Sequence, residues 1–381
     1  MTSRDRVLTA LNHREPNKIP IDLGTTIVTT LTRTTYQNLR AWLGMAPDAK
    51  AEISHRQMDT VYPQEDFLHR YEVDFRQVHM KSPWGFKARE MLDDSFYDEY
   101  NCRWKKANYY YDIVERPLAG RTIDDLPHAA WPDPRDPGRV EGLHAEAKRL
   151  YETTDYALVA DIMCGWPFEQ ACMLHGYDEF CVDLHADPKF AQALLERITE
   201  TDLALWDAYL EAVGDYVQVV AQGDDVGMQT GTFISPEMYR RFVKPCHKQM
   251  FDFIHSRIQA KTFYHSCGSV YDIIPDLIEE GVDILNPIQR SAAKMDIAVL
   301  KREFGRDLTF WGGAIDVQRV LPFATLQEIE DEVRRTIDIL VPGGGFVLVP
   351  SHNIQPDVSP ERIHKVYETG LACRIYPAEG Q

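Results

Sequence analysis

The 381-residue chain is 44% hydrophobic and carries a formal net charge of −18 at pH 7. That apolar share suffices for one large core, and so acidic a surface excludes a nucleic-acid binder, because it repels phosphates instead of releasing their counterions. Met1–Leu11 is charged and amphipathic rather than a signal peptide, and no apolar run reaches bilayer-spanning length, so a cytoplasmic protein with no membrane partner is expected.

A first helix is expected from Ser3, with Thr2 or Ser3 as cap and Val7, Leu8 and Leu11 on one stripe. Ile19–Gly24 reads as a short buried strand that ends at glycine, and Glu72–Val78 as the next. Asp74, inside that second run, needs a partner when buried, and Arg76, two residues on, is the candidate. Residues 81–135 break the rhythm. Phe96–Tyr100, Arg103–Lys105 and Tyr109–Val114 are aromatic and β-branched, which predicts an aromatic β-hairpin or small antiparallel insertion closed by the Pro-rich stretch Pro127–Pro137. Such an insertion serves as a lid, as a partner surface or as a small core of its own.

Strand-like runs then return at Tyr156–Ile162, Tyr216–Ala221, Lys261–His265, Val282–Asn286, Leu308–Gly312 and Phe346–Pro350. Amphipathic helices separate several of them, at Asp187–Leu210, Pro236–Ser256 and Leu326–Leu340. Eight short apolar runs alternating with helices predict parallel strands with crossover helices, an α/β fold that fits a closed (β/α)8 TIM barrel better than an open sheet. Residues 1–381 read as a single barrel domain carrying the 81–135 insertion.

Barrel chemistry sits on the loops after the strands. Here the strands end in Gly24, His79, Cys164, Gly223-Asp224-Asp225, His265-Ser266-Cys267-Gly268, Asn286, Gly312-Gly313 and Ser351-His352-Asn353. His265 and Cys267, two apart at a strand end, can reach one metal, and Zn²⁺ favours imidazole nitrogen with thiolate sulfur. The seven cysteines, scattered without a repeating frame, are otherwise expected as packed thiols. His352, after the last strand, is a third ligand or a general acid. Asp225 and Glu169 are the catalytic carboxylates to weigh. Glu169 reads equally as a fourth ligand or a helix-start carboxylate, and the aspartates beside Gly223 also suit a turn. Asp224, Tyr264, Trp311 and Asn286 are expected to contact substrate.

Taken together, His265-Ser266-Cys267-Gly268, Trp311-Gly312-Gly313-Ala314-Ile315-Asp316 and Gly343 through Asp357, with the Arg-Glu-Pro-x-x-x-Pro pattern at Arg14–Pro20, resemble the uroporphyrinogen decarboxylase superfamily. The resemblance covers most of the chain outside 81–135. It implies one of two chemistries. Decarboxylases of the family grip an acidic tetrapyrrole with an N-terminal Arg-Gln-Ala-Gly-Arg motif, whose two arginines at that spacing are absent from Gly24–Arg33 here. The other branch comprises zinc-dependent methyltransferases that work with corrinoid proteins and carry His-x-Cys plus a last-strand Cys. His265 and Cys267 match that pattern, while His352 stands where the Cys is found. The resemblance therefore implies zinc on His265, Cys267 and His352, and methyl transfer between a small methylated donor or acceptor, such as an O-methyl compound, and the corrinoid of a partner protein. A metal-independent decarboxylase or C–C lyase acting on a small acid, with His352 as proton donor, is the alternative, and a non-catalytic binding or corrinoid-handling barrel is a third. A homodimer stands open beside a monomer.

Overall fold

The computed structural model describes residues 1–162 and 165–376; Cys164 lies outside the described residues. Seven parallel strands pair in chain order, from Phe75–Val78 through Ala157–Ala160, Val219–Gly223, Lys261–His265, Ile284–Asn286 and Thr309–Trp311 to Phe346–Val347. Ala157–Ala160 and Val219–Gly223 are buried at every position, as strands covered on both faces must be. The expected first strand pairs too briefly to form a ladder, yet it fills the gap. Ile21 bridges Leu348 in parallel, Leu348 N donates to Pro20 O at 2.9 Å, and on the other side Asp74 N donates to Ile21 O at 3.0 Å. The chain is thus a TIM-barrel-like α/β fold with Ile19–Asp22 as its eighth stave.

Helices start where their caps predict. Thr2 and Asp5 form a capping box on Ser3–Leu11, and Thr325 and Glu328 form one on Leu326–Leu340. Asp187 caps Pro188–Val213, accepting from Phe190 N at 3.2 Å, with Pro188 at the first helical position. The expected Pro236–Ser256 helix is interrupted by a π-turn at Tyr239–Val243 before it resumes as Lys244–Arg257.

One expectation is corrected. Asp74 does not pair with Arg76. It is buried against Arg6 and Arg374 and accepts from Ser3 Oγ at 2.8 Å, while Arg76 forks onto Glu65 at 2.7 and 2.6 Å. Arginines from both chain ends are nearer to this barrel floor than the neighbour two residues away. The aromatic segment forms the small antiparallel insertion that was expected. Arg89–Glu90, Ser95–Tyr97, Arg103–Ala107 and Tyr110–Glu115 form a four-stranded antiparallel sheet, with Phe96 and Trp104 buried in it. A second antiparallel sheet, Leu31–Thr32, Thr60–Tyr62 and Glu52–His55, has no counterpart in the sequence reading.

Candidate functional site

Strand register lines up the site before any side chain is considered. Gly223 pairs with His265 and His265 with Asn286, so the three stand in a row at the carboxyl ends of neighbouring strands. A Cβ at position 223 would lie 3.3 Å from that of His265, so the glycine leaves the imidazole its space. His265 Nδ1 lies 2.5 Å from Asn286 Oδ1, and Asn286 Nδ2 donates to the Trp311 carbonyl at 2.7 Å. The second bond sets the amide's orientation, so Oδ1 accepts from Nδ1–H and the lone pair of His265 sits on Nε2. That atom is 3.6 Å from Cys267 Sγ.

His352 comes from the loop after the last strand, its ring centroid 5.4 Å from that of His265. One ligand atom from each of His265, Cys267 and His352 can be chosen such that all three lie within 4.8 Å of one another. Two imidazoles and a thiol form a donor set that suits Zn²⁺ with one coordination position left open. Burial, with His265 adding to it, pushes the pKa of His352 down to about 3. Its imidazole is therefore neutral near pH 7, which suits a ligand's role and not a proton donor's. Burial raises the Cys267 thiol, and the carboxylates of Asp225 and Glu169 raise it further, so a cation at the sulfur is what would favour the thiolate.

The two loops nearest the cluster are locked to each other, side chain to backbone. Asp225 Oδ1 accepts from Cys267 N at 2.7 Å and Ser266 Oγ from Val226 N at 3.0 Å. Gly268, at φ +82°, lies so close to the other loop that a Cβ would meet Gly227 C at 2.5 Å. Asp225 Oδ1 is 3.7 Å from His265 Nε2. Burial raises the carboxyl of Glu169, in the first turn of Pro167–His175, and the charges of Asp225 and Asp224 raise it further. Like charges sharing a site leave one carboxyl holding a proton.

Four residues expected to touch substrate are placed otherwise. Asp224 is fully buried and accepts from Phe168 N and Glu169 N, at 3.1 and 2.6 Å, and it lies 2.7 Å from His247 Nε2. It thereby ties the helix that carries Glu169 to the barrel. Tyr264 donates to the Asp224 carbonyl at 2.9 Å, and Trp311 Nε1 to Asp22 at 2.8 Å. Asn286 orients His265. All four stand behind the site, bonded to protein. His247, unmarked in the sequence because it sits on the buried face of an ordinary helix, also reaches Tyr239 Oη at 3.0 Å and Glu280 at 3.4 Å. Burial alone would depress its pKa, but the hydrogen bonds to Asp224 and Glu280 lift it to about 9.

The cluster lies between two cavities. One, of about 420 Å³, is lined by His265, His352, Glu169 and Asp225 on the barrel side and by aromatic residues of the insertion opposite. The other, of about 430 Å³, is lined by Cys267, His352, Gln289, Gln318 and Asp357, with Tyr110 shared by both. Among the described residues, no Lys or Arg lines either cavity.

Comparison with known proteins fits this architecture. A methyltransferase from Methanosarcina mazei superposes with a TM-score of 0.65 over 98% of this chain and 99% of its own, at 18% identity, which shows the shared fold. The methylated-thiol–coenzyme M methyltransferase of Methanosarcina mazei is 22% identical over 229 residues, 60% of this chain. A uroporphyrinogen decarboxylase of Geobacter sp. is 25% identical over 208 residues, 52% of this chain. The alignments span 58% and 55% of these relatives' own lengths. Residues 114–370, well over half the chain, match the family described as uroporphyrinogen decarboxylase (URO-D), and with the barrel already traced this places the chain in that family.

Proposed function

We propose that the protein is a methyltransferase that moves a methyl group between a small methylated compound and a corrinoid carried by a partner protein, with zinc on His265, Cys267 and His352. The observation that carries this reading is the convergence of two imidazoles and one thiol within 4.8 Å at the wall between two cavities. Zinc bound there supplies Lewis acidity toward the donor's heteroatom, and the corrinoid supplies the nucleophile that takes the methyl group. The chain's own residues do the rest. Asn286 holds His265 with Nε2 free, Asp225 fixes the Cys267 loop, and Glu169, whose carboxyl is pushed above the usual range by burial and by the neighbouring aspartates, would serve as the proton donor to the leaving heteroatom.

The relatives include both methyltransferase and decarboxylase. The cavities favour the first. Ile27 and Val28 line the larger apolar wall in the Gly24–Arg33 segment, where a family decarboxylase carries acid-gripping arginines, and the charged groups present are carboxylates that repel an acidic substrate. Metal analysis of the purified protein tests the reading, with about one zinc per chain expected. Loss of zinc in both His265→Ala and Cys267→Ala, with methylation of a reduced corrinoid protein lost alongside, supports it. Full zinc occupancy in both variants, or carbon dioxide release from a carboxylate substrate by metal-free protein, would overturn it.

A further inference from the structure

The cavity of about 420 Å³ has two walls, of which one is the barrel's. The other is the hairpin of Arg103–Ala107 and Tyr110–Glu115, which contributes Trp104, Tyr110, Tyr111 and Asp112. The hairpin is tied down beside the cavity, since Tyr111 N donates to the Gln57 carbonyl at 2.8 Å.

Size speaks first. A one-carbon donor such as methanol takes the room of about two waters, roughly 60 Å³. It would leave most of the cavity without contacts, whereas a few hundred Å³ is the scale that buries a ring-sized ligand. The chemistry of the wall agrees. Tyr177, Met58 and Met173 line the same space as the hairpin's aromatics, and ring faces and edges with thioethers are favourable company for a flat π-system. Two polar groups of the lining are left over, the Tyr110 hydroxyl and a ring nitrogen of His55. His55 lines the cavity with its Nδ1 buried and without a hydrogen-bond partner, and burial holds the imidazole neutral, its pKa down at about 4. A buried polar atom of this kind calls for a partner from the ligand.

We propose that this hairpin is the specificity element of the enzyme and that it selects a planar aryl methyl ether bearing a ring hydroxyl, with the ring against Tyr110 and Tyr111 and the hydroxyl on His55. The proposal rests on the methyl-transfer reading for the role of the ether, but ring recognition can be measured without turnover. The full-length protein as purified, its zinc content determined on the same sample, is titrated calorimetrically with 2-methoxyphenol, methoxybenzene and 2-methoxycyclohexanol. The flat phenol is expected to bind about tenfold tighter than its puckered analogue, and roughly fivefold tighter than methoxybenzene. Tyr110→Leu with Tyr111→Leu should erase the first preference and His55→Leu the second, with zinc content and circular dichroism unchanged. Equal affinity for the flat and puckered rings, or a preference that survives the double leucine variant, would overturn the inference. Ring selectivity in a protein that takes up no zinc keeps this inference and removes methyl transfer; zinc uptake without ring selectivity does the reverse.

Discussion

Across the cavity, the barrel rim and the inserted hairpin face each other and are held by different means. At the rim, backbone register sets Gly223, His265 and Asn286 side by side, and buried hydrogen bonds orient His265 and the Cys267 loop. The hairpin is a thin antiparallel sheet whose outer strand, Tyr110–Glu115, has no fully buried position, tied to its neighbours by side chains and a few backbone bonds. The rim can place a ligand atom to a fraction of an ångström but cannot change one residue without disturbing others. The hairpin can change its lining residues at little cost to the barrel. That difference in support suits the proposed division of labour, in which metal chemistry would sit on the rigid wall and donor choice on the adaptable one.

The sharpest way to break this division is Cys267→Ala. It should empty the metal site and lower methyl transfer at least about a thousandfold, while binding of 2-methoxyphenol changes by less than about threefold. Metal analysis with calorimetry checks both halves; if aryl binding fell together with zinc, the two walls would be one unit. Asn286→Leu is the gentler version. Without the acceptor on Nδ1, His265 loses its fixed tautomer and orientation, so zinc affinity should weaken by about 10–100-fold in competition with a chelator. An unchanged affinity would show that the row of strand-end residues does not orient the ligand.

Much of the rigid wall was legible in the sequence, because barrel strands are short apolar runs and the residue that follows each one is defined by position alone. His265, Cys267 and His352 could be picked out on that ground. What lay behind them could not. Asn286 and Asp224 are polar residues at strand ends, and nothing in a sequence tells a group that meets a ligand from one that holds its neighbour; the hydrogen bonds decide it. His247 acts from a helix face whose pattern is ordinary. Asp74 finds Arg374 from the far end of the chain, a pairing that only closure of the barrel brings about. The insertion's aromatic character was plain, but which rings would fill its own core and which would face the cavity depends on how the sheet is docked.

Support for the rigid wall also has a pH signature. His247 is lifted from the usual 6.5 to about 9 by its hydrogen bonds to Asp224 and Glu280. A cation bound more tightly in the folded state stabilises fully below the unfolded pKa, and its contribution is lost as pH rises through the folded one. Stability should therefore fall between pH 6.5 and 9 by on the order of 3 kcal/mol, read as a lower urea midpoint. His247→Gln should flatten that slope, and a wild-type midpoint that does not move across this range would remove the charged histidine from beneath the site.

The smallest effect tests how the adaptable wall is attached. Arg56 forks onto Glu90 at 2.7 and 2.8 Å and lies 3.6 Å from the ring centroid of Phe96, so it clips the insertion to the strand that ends at His55. Both charged groups are largely exposed, and water and salt screen most of their attraction. Arg56→Ala should therefore cost the whole protein no more than about 1 kcal/mol in urea titration. If the clip matters, it matters by keeping His55 and Tyr111 at their spacing, so the loss should appear as an increase of about two- to fivefold in the donor's KM, with kcat and zinc content unchanged. A fall in kcat or in bound zinc would mean that the strain passes through to the rim, and the two walls would then be coupled through the Glu52–His55 strand rather than independently held.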